Sequence, residues 1–210
     1  MKRLVAFDLD GTLIPRTTSA KLIAEALGHK DVAEACELEL TQGKIDSIEV
    51  ANRLASYLKD VSLADIQRVY SMAPKIQGIR EVVDALRTQD CYIILGSITW
   101  KFFVGMFAAE FGFHDYCGTE MGSADGKLTG VVSRYFTSED KATFCTNTAA
   151  NLGIPLANCI AVGDSRSDHP VFASAGLSVA LNADEETRRR ASLSLDTDDL
   201  TQLLPLIVGL

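Results

Sequence analysis

Two carboxylates one residue apart, Asp8 and Asp10, close an apolar run and are followed at once by Gly11 and Thr12. Leu4 to Phe7 reads as a buried parallel strand. Side chains two apart on an extended chain project to the same side. The carboxyl end of a parallel strand is also where open α/β sheets bind ligands. Acids paired there suit a divalent metal, a nucleophile with its acid/base partner, or both. Asp-Gly between apolar residues is equally a hairpin-turn signal, and acids at strand ends can serve only as loop caps. The remainder of the chain has to discriminate between these.

Three further polar sites follow. Ser97 comes directly after an apolar strand, Tyr92 to Leu95, and Gly96. Lys141 lies near the start of a predicted helix. Gly163-Asp164-Ser165-Arg166-Ser167-Asp168 comes directly after the strand Cys159 to Val162. Taken singly, Ser97 could be a helix N-cap, Lys141 a surface lysine, and Asp164 to Asp168 turn chemistry. Taken together, three of the four sites fall at carboxyl ends of predicted strands, so one parallel sheet would gather them on one edge.

The elements that must position them alternate. Residues 15–75 read as successive short amphipathic helices, with Ala51, Leu54, Ala55 and Leu58 at helical spacing and Ser62 as a cap with Asp65 as its partner. Pro74 ends that pattern. Beyond it, Ile79, Val82, Val83 and Leu86 make one helical face, and Trp100, Phe103, Val104, Phe107 and Phe111 make another. Cys117 to Gly122 and Lys127 to Val132 flank Ser-Ala-Asp-Gly as a β-hairpin. A helix is expected over 138–152, another over 170–175, a strand over 177–180 and a final helix over 197–207. Residues 183–192, with three consecutive arginines, read as a solvated helix face. Strands separated by helices imply an α/β fold with a doubly wound parallel sheet. The expected division is a Rossmann-like core, residues 1–14 and 76–210, with a small helical-bundle cap, residues 15–75, inserted after the first strand.

The 210 residues suffice for one core and a small insertion. A composition 47% hydrophobic and 23% charged is that of a globular chain. The net charge of -8 disfavours nucleic acid or an anionic membrane as the main partner. Asp8 and Asp10 cut the first apolar run too short for a signal peptide, and no apolar stretch approaches the ~20 residues that span a bilayer. Cys36, Cys91, Cys117, Cys145 and Cys159 are scattered in apolar contexts, the pattern of reduced thiols in a cytoplasmic protein.

The order Asp-x-Asp-Gly-Thr, Ser, Lys, Gly-Asp-x-x-x-Asp resembles the haloacid dehalogenase superfamily of phosphotransferases over nearly the whole chain. Ala124-Asp125-Gly126-Lys127-Leu128-Thr129-Gly130, Leu152-Gly153-Ile154-Pro155-Leu156 and Ile160-Ala161-Val162-Gly163-Asp164 resemble the branch containing phosphoserine phosphatase. The resemblance implies a phosphatase for a small phosphorylated metabolite. In it Asp8 is the nucleophile that forms an aspartyl-phosphate, and Asp10 protonates the leaving oxygen and then deprotonates water. It implies Mg²⁺ held by Asp8 and Asp164 through side chains and by Asp10 through its carbonyl, with Asp168 supporting the metal shell. Ser97 would donate to a phosphate oxygen, and Lys141 would neutralise charge on Asp8 and the phosphoryl group. A dianionic phosphate would be repelled by these acids without the metal and the lysine.

The resemblance weakens where the leaving group would be read. Thr17, after Arg16, stands where phosphoserine phosphatases resemble one another in a glutamate that grips the substrate ammonium. Their cap arginine aligns with Leu54, with Arg53 one residue and ~100° of helix away. Ile98 and Thr99 replace two glycines, Ser167 replaces an asparagine, and Arg166 adds a cation. These positions are the expected substrate contacts. Phosphoserine phosphatase proper, phosphoryl transfer to an alcohol, and a non-enzymatic phospholigand binder are the alternative functions.

Overall fold

A computed structural model describes residues 2–207. In chain order, β1 (Arg3–Phe7) is followed by two very short strands, β2 (Asp10–Gly11) and β3 (Ile14–Pro15). Four helices come next: α1 (Ser19–Ala26), α2 (Lys30–Thr41), α3 (Ser47–Ala55) and α4 (Leu63–Met72). Then come α5 (Ile79–Thr88), β4 (Cys91–Trp100), α6 (Lys101–Phe111), β5 (Asp115–Ala124), β6 (Lys127–Arg134) and α7 (Ser138–Asn151). The chain continues through β7 (Cys159–Gly163), α8 (His169–Ser174), β8 (Leu177–Leu181), α9 (Glu185–Arg190), β9 (Leu193–Leu195) and α10 (Leu204–Ile207).

The main sheet has seven strands in the order β6-β5-β4-β1-β7-β8-β9. All neighbours pair in parallel except β5 and β6, the hairpin. The chain leaves β1 toward β4 and β5, then returns to the other side of β1 at β7. That reversal is a topological switch point, where such sheets open a crevice at the strands' carboxyl ends.

Alternation along β1 supplies both faces of the core. Val5 and Phe7 join Ile93, Leu95 and Val162 under α5 and α6. Leu4 and Ala6 join Ile94 and Ala161 under α7 and α8. Burial on both faces explains why these strands read as continuous apolar runs. The predicted face of α5 is fully buried at Ile79, Val82, Val83 and Leu86. The hairpin turns at Asp125 and Gly126, both with positive φ (50° and 75°), the two-residue turn that Asp-Gly favours.

Residues 19–72 add no strand to the main sheet. Three of their four helices, α1, α3 and α4, begin at side-chain caps: Thr18 accepts from the Lys21 amide, Asp46 from Glu49, and Ser62 from Asp65.

Three sequence expectations change and one element is not anticipated. β4 continues past Leu95 to Trp100, with a register irregularity between Gly96 and Trp100. Ser97 therefore lies within this irregular extension, which pairs only with β5, and does not follow a finished strand. Trp100 ends β4 and precedes α6, so it is buried from the strand and not from a helical stripe. The final helix starts at Leu200, as one 3₁₀ turn before α10, because the Asp199 carboxylate accepts from the Thr201 amide. Finally, Leu193–Leu195 forms an edge strand that is too short to show a period.

Candidate active site

Asp8 stands one residue beyond β1, and its amide donates to the Val162 carbonyl of β7 at 2.9 Å. Asp8 is buried, with 4% of the residue exposed. Lys141 arrives from α7, whose start is fixed by a reciprocal capping box between Thr137 and Asp140. The Lys141 ammonium is 2.5 Å from Asp8 Oδ1 and 2.5 Å from Asp168 Oδ1. Asp168 turns its other oxygen back on its own loop, where Oδ2 accepts from the amides of Asp164 and Ser165, both at 3.1 Å. Asp164 in turn accepts from the Thr12 hydroxyl at 2.6 Å.

Two glycines make this packing possible. A Cβ on Gly11, whose φ is 86°, would lie 2.2 Å from Asp164 Oδ2. A Cβ on Gly163 would lie 2.2 Å from the Asp168 carboxyl carbon. Neither position has room for a side chain.

Asp10 is directed differently. Its Oδ1 accepts from the Ser19 amide at 2.7 Å and its Oδ2 from the Ser19 hydroxyl at 2.9 Å. The Ser19 hydroxyl lies 2.8 Å from Thr99 Oγ1. The Thr99 amide donates to Ser97 Oγ at 3.3 Å, which leaves the hydroxyl proton of buried Ser97 free for another acceptor.

Asp8, Asp164 and Asp168 each offer an oxygen within 4.8 Å of the others. Burial raises Asp8 well above the usual carboxylate range; Lys141 opposes this, and Asp168 and Asp164 add to it. Asp164 is pushed up to about 7 by burial and then by Asp168. Asp10 is pushed up to about 6 by burial, against the hydrogen bonds from Ser19 and Thr99. Burial also works against the charge on Lys141, yet Asp168 and Asp8 hold its ammonium above the usual lysine value. One ammonium faces three carboxylates, so the site carries surplus negative charge in a poorly solvated space. An all-oxygen donor set of this kind fits a hard divalent cation.

The predicted substrate residues are placed unevenly. Thr99 joins the Asp10 network, while the Ile98 carbonyl accepts from the Thr119 hydroxyl at 2.8 Å. Ser167 Oγ lies 3.1 Å from Ser165 Oγ on the loop that carries Asp164. Arg166, on the same loop, is exposed. Thr17 is half-buried, whereas Arg16 points to solvent and pairs with Asp198 at 3.1 Å. The Arg53 guanidinium bonds Glu49 at 2.9 Å and Glu39 at 2.8 Å, both on the inserted helices. Two participants, Thr12 and Ser19, escaped sequence reasoning as individuals. Thr12 lies inside the opening motif, but Ser19 is only the third of three hydroxyl residues, Thr17-Thr18-Ser19, with no local mark to separate it.

Residues 5–173 match the model of the haloacid dehalogenase-like hydrolases. The chain is 31% identical to a phosphoserine phosphatase of Polaromonas sp., covering 98% of this chain and 89% of that one. It is 26% identical to a phosphoserine phosphatase of Methanocaldococcus jannaschii, covering 98% of each. A phosphoserine phosphatase of Archaeoglobus fulgidus is 29% identical over 96% of this chain, which spans only 59% of that longer protein. A substrate-bound phosphoserine phosphatase complex shares the fold, with a TM-score of 0.88, 24% identity and 99% coverage of both chains.

Proposed function

The chain belongs to the haloacid dehalogenase-like hydrolase family, and from that membership we propose a Mg²⁺-dependent phosphomonoester hydrolase acting on a small phosphorylated metabolite. The observation that carries this reading is the convergence of Asp8, Lys141, Asp164 and Asp168 at the carboxyl ends of β1 and β7.

Asp8 attacks phosphorus in line and forms an aspartyl-phosphate. Lys141, bonded to Asp8 Oδ1, keeps that carboxylate ionised and offsets charge on the phosphoryl oxygens. Ser97 donates its hydroxyl proton to one of them. Asp10 protonates the departing alkoxide and later takes a proton from the attacking water. Its Oδ1 is held as an acceptor by the Ser19 amide. Its Oδ2 faces a hydroxyl able to donate or accept, so Oδ2 is the oxygen suited to carry the proton. Asp8 and Asp164 side chains and the Asp10 carbonyl would hold Mg²⁺, with Asp168 fixing the loop behind them. When bound, the ion supplies the positive charge that lets a dianion approach these acids.

The inserted helices, residues 15–75, serve as the cap and residues 1–14 and 76–210 as the core in this reading. The cap selects a small substrate by limiting space and water over Asp8. Five buried thiols support a reducing, cytoplasmic setting, and no helix among the described residues is long and apolar enough to cross a membrane.

The test is phosphate release from a broad panel of phosphomonoesters with Mg²⁺ and with chelator, comparing phosphoserine, sugar phosphates and phosphocholine-like esters. Mg²⁺-dependent release is expected, and the best ester identifies the leaving group. Inactivity across the panel would overturn the reading.

A further inference from the structure

Asp10 is held by a residue from outside the main sheet. Ser19, the first residue of α1, is 0% exposed and engages both oxygens of the Asp10 carboxylate. Two bonds from one residue fix the direction of the carboxylate and also its rotation. The Ser19 hydroxyl is not needed to cap α1, because Thr18 already does so through the Lys21 amide. Its hydrogen bonds go to Asp10 and Thr99 instead. Thr99 then reaches Ser97 through its amide. One line of contacts therefore joins Asp10, after β1, to Ser97, in the irregular part of β4, by way of an inserted helix.

We infer that Ser19, buttressed by Thr99, is a positioning residue for Asp10, holding its carboxylate where it can reach the leaving oxygen and tying that orientation to the seating of α1. This rests on the phosphatase reading above. It distinguishes two classes of ester. An alkyl alcohol leaves only with a proton supplied, whereas p-nitrophenolate leaves as a stable anion.

Single-turnover release of the leaving group tests this with Mg²⁺-loaded protein. Ser19→Ala should slow release of the alcohol from phosphoserine or glycerol phosphate roughly tenfold to a hundredfold. First-turnover release of p-nitrophenolate should change by less than about threefold. Thr99→Val should show the same selectivity at smaller size, and it carries the test alone if Ser19→Ala does not fold. In an Asp10→Asn background, Ser19→Ala should add no further loss, because its effect passes through Asp10. Equal losses on both esters, an unchanged alkyl rate, or a further loss in that background would each overturn the inference. If the unaltered protein cleaves no ester of the panel above, the phosphatase reading falls and this inference with it; if it cleaves another alkyl ester of that panel, such as a sugar phosphate, that ester takes the place of phosphoserine in the test. An active protein with an unselective variant overturns this inference alone.

Discussion

Charged groups are paired both among the inserted helices and at the carboxyl edge of the sheet, but in opposite ways. Among the inserted helices most pairs are local, Arg53 with Glu49, Arg68 with Asp65 and Lys30 with Glu25, and the two longer-range ones, Arg53 with Glu39 and Lys21 with Glu37, are likewise open to water. At the sheet edge they are distant in sequence and dry. Lys141 reaches Asp8 across 133 positions, with side chains 3% and 5% exposed. Exposed pairs of neighbours gain little, because water screens them and long side chains lose freedom. A buried ammonium between two carboxylates cannot be left unpaired without a large penalty. The first kind of pairing decorates helices, and the second is the pairing on which the proposed chemistry rests.

The comparison can be broken most sharply at Asp8. Asp8→Asn should lower turnover by a factor on the order of 10³ or more while the circular dichroism spectrum is kept; retained activity would remove Asp8 as nucleophile. Lys141→Met should come next. It leaves buried carboxylates facing one another, at a cost of about 3–5 kcal/mol in denaturant unfolding, together with loss of turnover.

A pH series sharpens the same contrast. Burial raises Asp10 to about 6 and Asp164 to about 7, above their values in the unfolded chain. The folded metal-free protein therefore binds more protons than the unfolded one between about pH 4 and pH 7, and its stability falls as pH rises through that window. Mg²⁺ competes with those protons and should raise the thermal midpoint more at pH 8 than at pH 5. An equal shift at both values would contradict the charge surplus assigned to the site. The smallest effect is expected at Arg53. Arg53→Ala should move the thermal midpoint by only a small fraction of the Lys141→Met effect, and p-nitrophenyl phosphate turnover should stay nearly unchanged. A large loss there would bring the exposed pairs into the chemistry after all.

Much of the fold was legible from local pattern. The run Leu4 to Phe7, the face Ile79-Val82-Val83-Leu86, the Asp125-Gly126 turn and the Ser62 cap each depend on neighbours within a few residues, so periodicity and turn chemistry reveal them. The edge strand Leu193–Leu195 and the extension of β4 through Ser97 were not legible. The first is only three residues long, and in the second Gly96-Ser97 interrupts the apolar run while the strand formers Ile98, Thr99 and Trp100 lead straight into the stripe of α6, so pairing with β8 and β5 decides both.

The amino-acid sequence by itself determined the spacing of Asp8, Asp10, Gly11 and Thr12, the strand before them, and the order in which Ser97, Lys141, Asp164 and Asp168 follow. The tertiary structure decided which of these groups meet. It set Lys141 between Asp8 and Asp168, put Thr12 on Asp164, gave Asp10 to Ser19, and closed Arg53 onto Glu39 and Glu49. The physical reason is range: hydrogen bonds and ion pairs act over a few ångströms, and only the docking of α1, α7 and the switch-point strands brings residues so far apart in the chain within that reach.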